Sequence, residues 1–178
     1  MSTRPTPATP SASEPTGGLR IRPVLAEELA EVGQLTAAAY IGDGLLAASD
    51  DYVQQLADTA RRARDAEVWV AVAERQLLGS VTFVQPGSPY REIAHDDEGE
   101  FRMLAVSPAA RGRGIGQALV EQCLDRSREL GYAGVRMSSM DRMTSAHRVY
   151  ERLGFVRAPE DDWSPTPGVL LLAYVLAF

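Results

Sequence analysis

Glu100–Leu130 reads EFRMLAVSPAARGRGIGQALVEQCLDRSREL. An alternating apolar stretch runs to Val106 and is stopped by Ser107-Pro108. A turn follows with glycine at 112, 114 and 116, flanked by Arg111 and Arg113. From Gly116 onward the apolar residues Leu119, Val120, Cys123, Leu124 and Leu130 fall near one helical face, and Gly131 supplies the stop. A strand, a glycine turn and a helix in this order aim several backbone N–H groups, at the positive end of a helix, toward one spot. Such a spot binds phosphate or pyrophosphate.

Three kinds of anion loop compete for this turn. A GxxxxGK[ST] loop needs a lysine after its last glycine, and all eighteen basic residues of the chain are arginine. A GxGxxG dinucleotide loop starting at Gly112 needs glycine where Gln117 stands, and expects an early βαβ unit. The third pattern, [QR]-x-x-G-x-[GA], is met by Arg111, Gly114 and Gly116, directly after Leu104-Ala105-Val106-Ser107-Pro108. Downstream, Tyr150-Glu151-Arg152-Leu153-Gly154-Phe155 matches Y-E-x-L-G-F. Together, in this order and spacing, the two elements resemble the GNAT superfamily of N-acetyltransferases over Leu19–Phe178. The plainer reading, a tight strand-to-helix connection, calls for one glycine or two, not three interleaved with arginines.

Outward from this stretch the rest of the chain is read by pattern. Residues 1–18 are Ser/Thr/Pro-rich with little apolar bulk and read as a disordered tail, so the domain is expected over 19–178. LRIRPV from Leu19 reads as a strand. Leu29, Val32, Leu35 and Ala39 give a helix over Ala26–Tyr40. A second helix is expected from Asp50 to about Arg64 with Tyr52, Val53, Leu56 and Ala60 inward. Val68–Ala73 and Leu78–Val84 read as a hairpin, Gln85–Gly99 as a loop, and Glu100–Val106 and Val135–Ser139 as strands. A short helix over Ser145–Leu153 is expected to bury Ala146, Val149, Tyr150 and Leu153, leaving His147 partly exposed. Strands at Phe155-Val156 and Val169–Ala177 close the sheet. The resemblance implies a mixed α/β fold, with a mostly antiparallel central sheet of about seven strands flanked by about four helices.

Composition bounds the function. The net charge of −6 argues against a general nucleic-acid binder, although Phe101–Arg113 holds three arginines and no acid. One cysteine, Cys123, and two distant histidines, His95 and His147, leave no set of metal ligands, and no metal is expected. The apolar run Val169–Phe178 is half what a membrane helix of ~20 residues needs, and the N-terminus lacks a signal-peptide core. A cytoplasmic protein without a membrane partner is the expectation.

By resemblance, acetyl-CoA is the co-substrate. Backbone groups of Leu104, Ala105 and Val106 would bind its pantetheine arm as a neighbouring strand. The backbone of Arg111, Gly112, Arg113, Gly114, Ile115, Gly116 and Gln117 would hold its pyrophosphate. Tyr150 resembles the general acid that protonates the departing thiolate, and a strand N–H would stabilise the oxyanion. For the base, Glu100 leads and Glu98 follows; an α-amine acceptor needs no dedicated base. Two positions depart from the family: Met143 stands where Asn often contacts the cofactor, with Ser145 as a substitute, and His147 stands where an apolar residue is usual. Cys123 falls in the core by helical phase and is no nucleophile. The acidic residues Asp43, Asp50, Asp51, Asp96, Asp97, Glu98, Glu160, Asp161 and Asp162, with Tyr90 and Trp163, fit either a cationic acceptor, a small-molecule or peptide amine, or acidic loops that only keep the protein soluble. A homodimer accords with the family's habit. The rival reading is a module that binds acyl-CoA without turnover, as a sensor.

Overall fold

Alternating apolar residues make β2 (Glu67–Ala73) and β3 (Gln76–Val84), and Glu74 and Arg75, at φ 49° and 65°, close the tight turn between them. Around this hairpin the computed structural model, which describes residues 18–178, builds one sheet. The further strands are β1 (Arg20–Pro23), β4 (Glu98–Val106), β5 (Gly134–Met140), β6 (Val156–Arg157), β7 (Trp163–Thr166) and β8 (Val169–Ala177). Their order is β1-β2-β3-β4-β5-β8-β6, with β7 paired to β8. Every pair is antiparallel except β4–β5, which is parallel and registers only at Glu98–Gly134 and Gly99–Val135. Beyond Gly99 the two strands part, which leaves one edge of β4 open.

A bulge re-aims that same strand. Between the pairs Ser80–Ala105 and Thr82–Arg102, β4 carries one residue more than β3, and Met103 sits at φ 54°. Strict alternation would place Phe101, Met103 and Ala105 on one face. Instead Phe101 packs in the core beneath α4 (Ile115–Glu129) and α5 (Thr144–Arg152), with Leu119 and Tyr150. Met103 and Ala105 pack on the opposite side with Tyr40 of α1 (Leu29–Gly42) and Leu56 of α2 (Asp51–Ala57).

The described residues form eight strands and five α-helices, against expectations of about seven and four. The extra helix comes from a break. The expected helix 50–64 divides into α2 and α3 (Thr59–Asp65) at Asp58, whose ψ of 67° is non-helical and whose carboxylate accepts from the Arg61 N–H at 3.0 Å. The buried Arg62 guanidinium then donates to the Gln55 carbonyl at 3.0 Å and to that of Leu56, satisfying the end of α2. The break shifts the phase, so Thr59 and Arg62 face inward and Ala60 is exposed. The extra strand, β7, lies in a segment whose two prolines hide any alternation. His147 is buried rather than partly exposed, with its Nε2 3.0 Å from the Met140 carbonyl oxygen. The Ser/Thr/Pro-rich tail lies, but for Gly18, outside the described residues. Among the described residues no helix is long and apolar enough to cross a membrane.

Candidate active site

A cavity of about 1170 Å³ opens where β4 and β5 part. Arg102, Met103 and Leu104 of β4 form its floor, Met137–Met140 of β5 one wall, and Tyr150 its inner end. Tyr40 of α1, Tyr52 of α2 and Tyr90 and Glu92 of the β3–β4 loop face them. The cavity ends at Leu104, and the open edge of β4 continues from there through Ala105 and Val106 toward the glycine turn.

The turn has the shape its sequence called for. Gly112 and Gly114 adopt left-handed φ of 72° and 76°, and Gly114 is the residue before the first turn of α4. Among the described residues no backbone carbonyl accepts from the N–H groups of Gly112, Arg113 or Gly114. The first-turn N–H groups of Ile115, Gly116 and Gln117 have no partner within the helix. Arg111 differs: its N–H bonds to the Pro108 carbonyl, and its guanidinium pairs with Asp43 at 2.7 Å. Gln117 turns its amide to Glu121 at 2.9 Å. The backbone, not the side chains, is free to hold an anion.

Tyr150 is 1% exposed, with its ring packed at 5.7–6.0 Å from those of Phe101, Phe155 and Tyr174. Its hydroxyl lies near Ser139, and burial raises its pKa so that the phenol stays protonated well past neutral pH. Cys123 is wholly buried in the core, and burial pushes its thiol pKa up as well, which excludes a nucleophile. Met143 lines the cavity with its sulfur 3.6 Å from the Ser139 hydroxyl, whereas Ser145 is exposed and lines none of it.

The two carboxylates expected to serve as base are occupied otherwise. Glu100 is fully buried, and its carboxylate accepts the backbone N–H groups of Glu92, Ile93 and Ala94 at 3.1–3.2 Å. It does not line the cavity. A carboxylate bound by three amides fastens a loop, and the expectation of Glu100 at the reacting centre finds no support in this geometry. Glu98 is held by the Arg136 guanidinium at 2.8 Å and by the His95 N–H at 2.9 Å. The acidic loops are similarly spoken for: Asp161 pairs with Arg136, and Asp162 with Arg157.

Sequence reasoning passed over Glu92, Arg102 and Asp58, which do line the cavity alongside Asp50 and Asp51. Glu92 and Arg102 pair at 2.5 Å, and Arg102 also donates to the Tyr90 carbonyl at 2.9 Å and to the Tyr52 hydroxyl at 3.4 Å. Glu92 lies within a loop without periodicity, so only the fold brings it inward. Arg102 carried a signal, since a lone arginine in an apolar strand needs a partner.

The chain is similar in sequence and fold to known proteins. A family model for the acetyltransferase (GNAT) domain matches residues 64–157. A mycothiol acetyltransferase of Cellulomonas flavigena is 39% identical over 116 residues, which are 60% of this chain and 33% of that protein. An N-acetylaspartate synthetase of Danio rerio is 32% identical over 101 residues, 57% of this chain and 33% of that one. The chain therefore spans about a third of the length of these curated relatives. Among solved structures, a GNAT-family acetyltransferase of Staphylococcus aureus Mu50 superposes with a TM-score of 0.70 at 14% identity, covering 89% of this chain and 99% of that one. One from Brucella melitensis in complex with acetyl-CoA gives 0.61 at 25% identity, covering 90% and 88%. The matched residues run from the end of α3 through β6 and take in the parting strands, the glycine turn and Tyr150; the chain belongs to the GNAT acetyltransferase family.

Proposed function

We propose that residues 19–178 form one catalytic domain, an acetyl-CoA-dependent N-acetyltransferase that moves an acetyl group directly onto a primary amine. The observation that carries this reading is the continuous path from the cavity, along the open edge of β4, to the unpartnered N–H groups before α4. The co-substrate fits these features. Its pantetheine amides have the donors and acceptors of a peptide and suit the free groups of Leu104, Ala105 and Val106. Its pyrophosphate suits the free backbone N–H groups of Gly112, Arg113, Gly114, Ile115, Gly116 and Gln117, where left-handed Gly112 and Gly114 allow close approach. Bound acetyl-CoA supplies an acetyl thioester at the cavity end of β4.

There Tyr150, kept protonated by burial, donates its proton to the leaving sulfur. A β4 backbone N–H at the parted edge stabilises the charge that develops on the carbonyl oxygen. Phe101, Met137 and Leu104 give this end of the cavity an apolar lining. The acceptor enters from the side of α1, α2 and the β3–β4 loop. Asp50, Asp51, Asp58 and Glu92 against Arg61 and Arg102 favour a cationic amine, either a small molecule or a peptide end. Dependence on acetyl-CoA, a metabolite of the cell interior, supports a cytoplasmic location.

Thiol release from acetyl-CoA against a panel of primary amines tests the reading, with Tyr150→Phe beside the wild type. The variant is expected to lose about 10²–10⁴-fold in kcat while acetyl-CoA binding is retained. Tight binding of acetyl-CoA by the wild type with no amine-dependent thiol release would favour the sensor reading instead.

A further inference from the structure

The β3–β4 loop enters the cavity with one ionisable side chain from its middle. Glu92 has a side chain 19% exposed, and it lines the same space as Tyr150, Ser138 and Leu104. Its neighbours hold it in place from two sides. From β4, Arg102 binds its carboxylate at 2.5 Å, and from β5 the Ser138 side chain stands beside it. The backbone is anchored separately, since the N–H groups of residues 92–94 converge on the buried carboxylate of Glu100. Two neighbouring carboxylates thus have separate tasks. One is sealed in the loop's base, and the other faces the space where an amine must stand to reach a thioester beside Leu104.

On the basis of the acetyltransferase reading, we propose that Glu92 accepts the proton of the acceptor amine and that Glu100 positions it by fastening the loop. An ammonium gives one proton to the Glu92 carboxylate, and its freed lone pair forms the C–N bond. The C–S bond breaks, and the sulfur takes the Tyr150 proton. The second proton leaving the nitrogen restores Tyr150. The products are an amide and a thiol, and the proton on Glu92 passes to solvent.

The electrostatics agree with this task. Burial pushes the Glu92 carboxyl up to about 7 against the pull of Arg102, the nearby charge of Glu100 adds to the rise, and the Ser138 side chain opposes it. Tyr52 of α2 also faces it and stays neutral, its own pKa raised by burial. A base with a pKa near neutral is ionised often enough to accept a proton and basic enough to hold it.

Two variants test the assignment in the full chain, Glu92→Gln and Glu100→Gln. The wild-type kcat/KM for an accepted amine is expected to fall below pH of about 7, the Glu92→Gln rate to drop about 10²-fold or more, and that acidic limb to vanish. Glu100→Gln is expected to keep a limb while raising the amine KM, because the loop is loosened and the base remains. Carbon-13 NMR of the side-chain carboxyls, without acetyl-CoA, is expected to show one resonance titrating near 7 that is missing in Glu92→Gln. A Glu92→Gln enzyme with the wild-type limb overturns the proposal, as does loss of the limb in Glu100→Gln alone. A wild type inert toward every amine would overturn the parent acetyltransferase reading, and this inference with it.

Discussion

The two sides of the cavity are built in opposite ways. The side assigned to the co-substrate is one run of chain, in which β4, the glycine turn and α4 follow each other from Glu98 to Glu129. The acceptor side is assembled from α1, α2, the β3–β4 loop and the β7–β8 hairpin, which are distant in sequence. The first depends on local chain geometry, on glycines that reach left-handed φ and a helix that begins on cue. The second depends on how closely separate elements pack. Changes on the two sides should therefore fail differently, and the failures can be separated by measuring acetyl-CoA and amine affinities apart.

The largest effect is expected at the helix crossing that carries the acceptor wall. A Cβ at Gly33 of α1 would stand 2.0 Å from the Ala57 carbonyl oxygen and 2.9 Å from its carbon, backbone atoms that cannot rotate away. Gly33→Ala gains ~1 kcal/mol in helix propensity and still loses about 3 kcal/mol net to overpacking, with a Tm drop of about 10 °C. Pushing α2 outward also moves Tyr52, so the amine KM rises while acetyl-CoA affinity holds. If both affinities fell equally, the two sides would not be separable.

Glu92 gives the acceptor side a second mark, a pH dependence. A carboxyl whose pKa rises on folding from 4.5 to about 7 contributes stability below its ordinary value, and that contribution is lost as pH rises through about 7. Glu92→Gln never ionises and escapes the loss. Between pH 5 and 8 the variant should gain about 2 kcal/mol on the wild type in urea midpoints, after allowance for screening at its partly exposed edge. A constant difference across that range would show that Glu92 is not desolvated in the native protein.

This contrast explains what the sequence disclosed. The strand, turn and helix from Glu100 to Leu130 were legible because period-2 and period-3.6 patterns and glycine positions act over a few residues. The place of Tyr150 at the cavity was legible because its motif is contiguous. The break at Asp58 escaped because a helix-compatible residue acts as a cap only once Arg62 supplies donors to the end of α2. The partners of Glu100 were hidden because the amides of residues 92–94 return to it through the loop from the other side. Glu92 was silent because a loop has no period to place a side chain. The bulge at Met103, which hands Phe101 and Met103 to opposite faces, follows from pairing with β3, and nothing in the strand's own residues announces it.

On the co-substrate side the test is local. Gly114→Val places a side chain at φ 76° in space where a Cβ meets nothing, so the cost is conformational strain of ~1–2 kcal/mol. Acetyl-CoA affinity measured by calorimetry should weaken about 10-fold, with the amine KM unchanged at saturating acetyl-CoA. A Tm loss without an affinity loss would mean that the turn relaxes and its N–H groups are not the anion site.

The smallest effect is expected where the two sides touch. Arg111, the first residue of the proposed pyrophosphate loop, is paired at 2.7 Å with Asp43, just past the end of α1, and the two side chains are 45% and 38% exposed. An exposed pair of this kind contributes ~0–1 kcal/mol, so Asp43→Ala should leave Tm within the scatter of the measurement. Its consequence lies in what Arg111 does next. A guanidinium released from a carboxylate is free to turn toward a diphosphate, and losing the nearby negative charge reduces repulsion of the same anion. Acetyl-CoA should therefore bind up to about 3-fold more tightly to Asp43→Ala at low ionic strength, with the gain fading as salt shortens the Debye length to ~8 Å or less. A weakening of about 10-fold would instead make Asp43 part of the co-substrate's own site, and the boundary between the two sides would move from Arg111 to the end of α1.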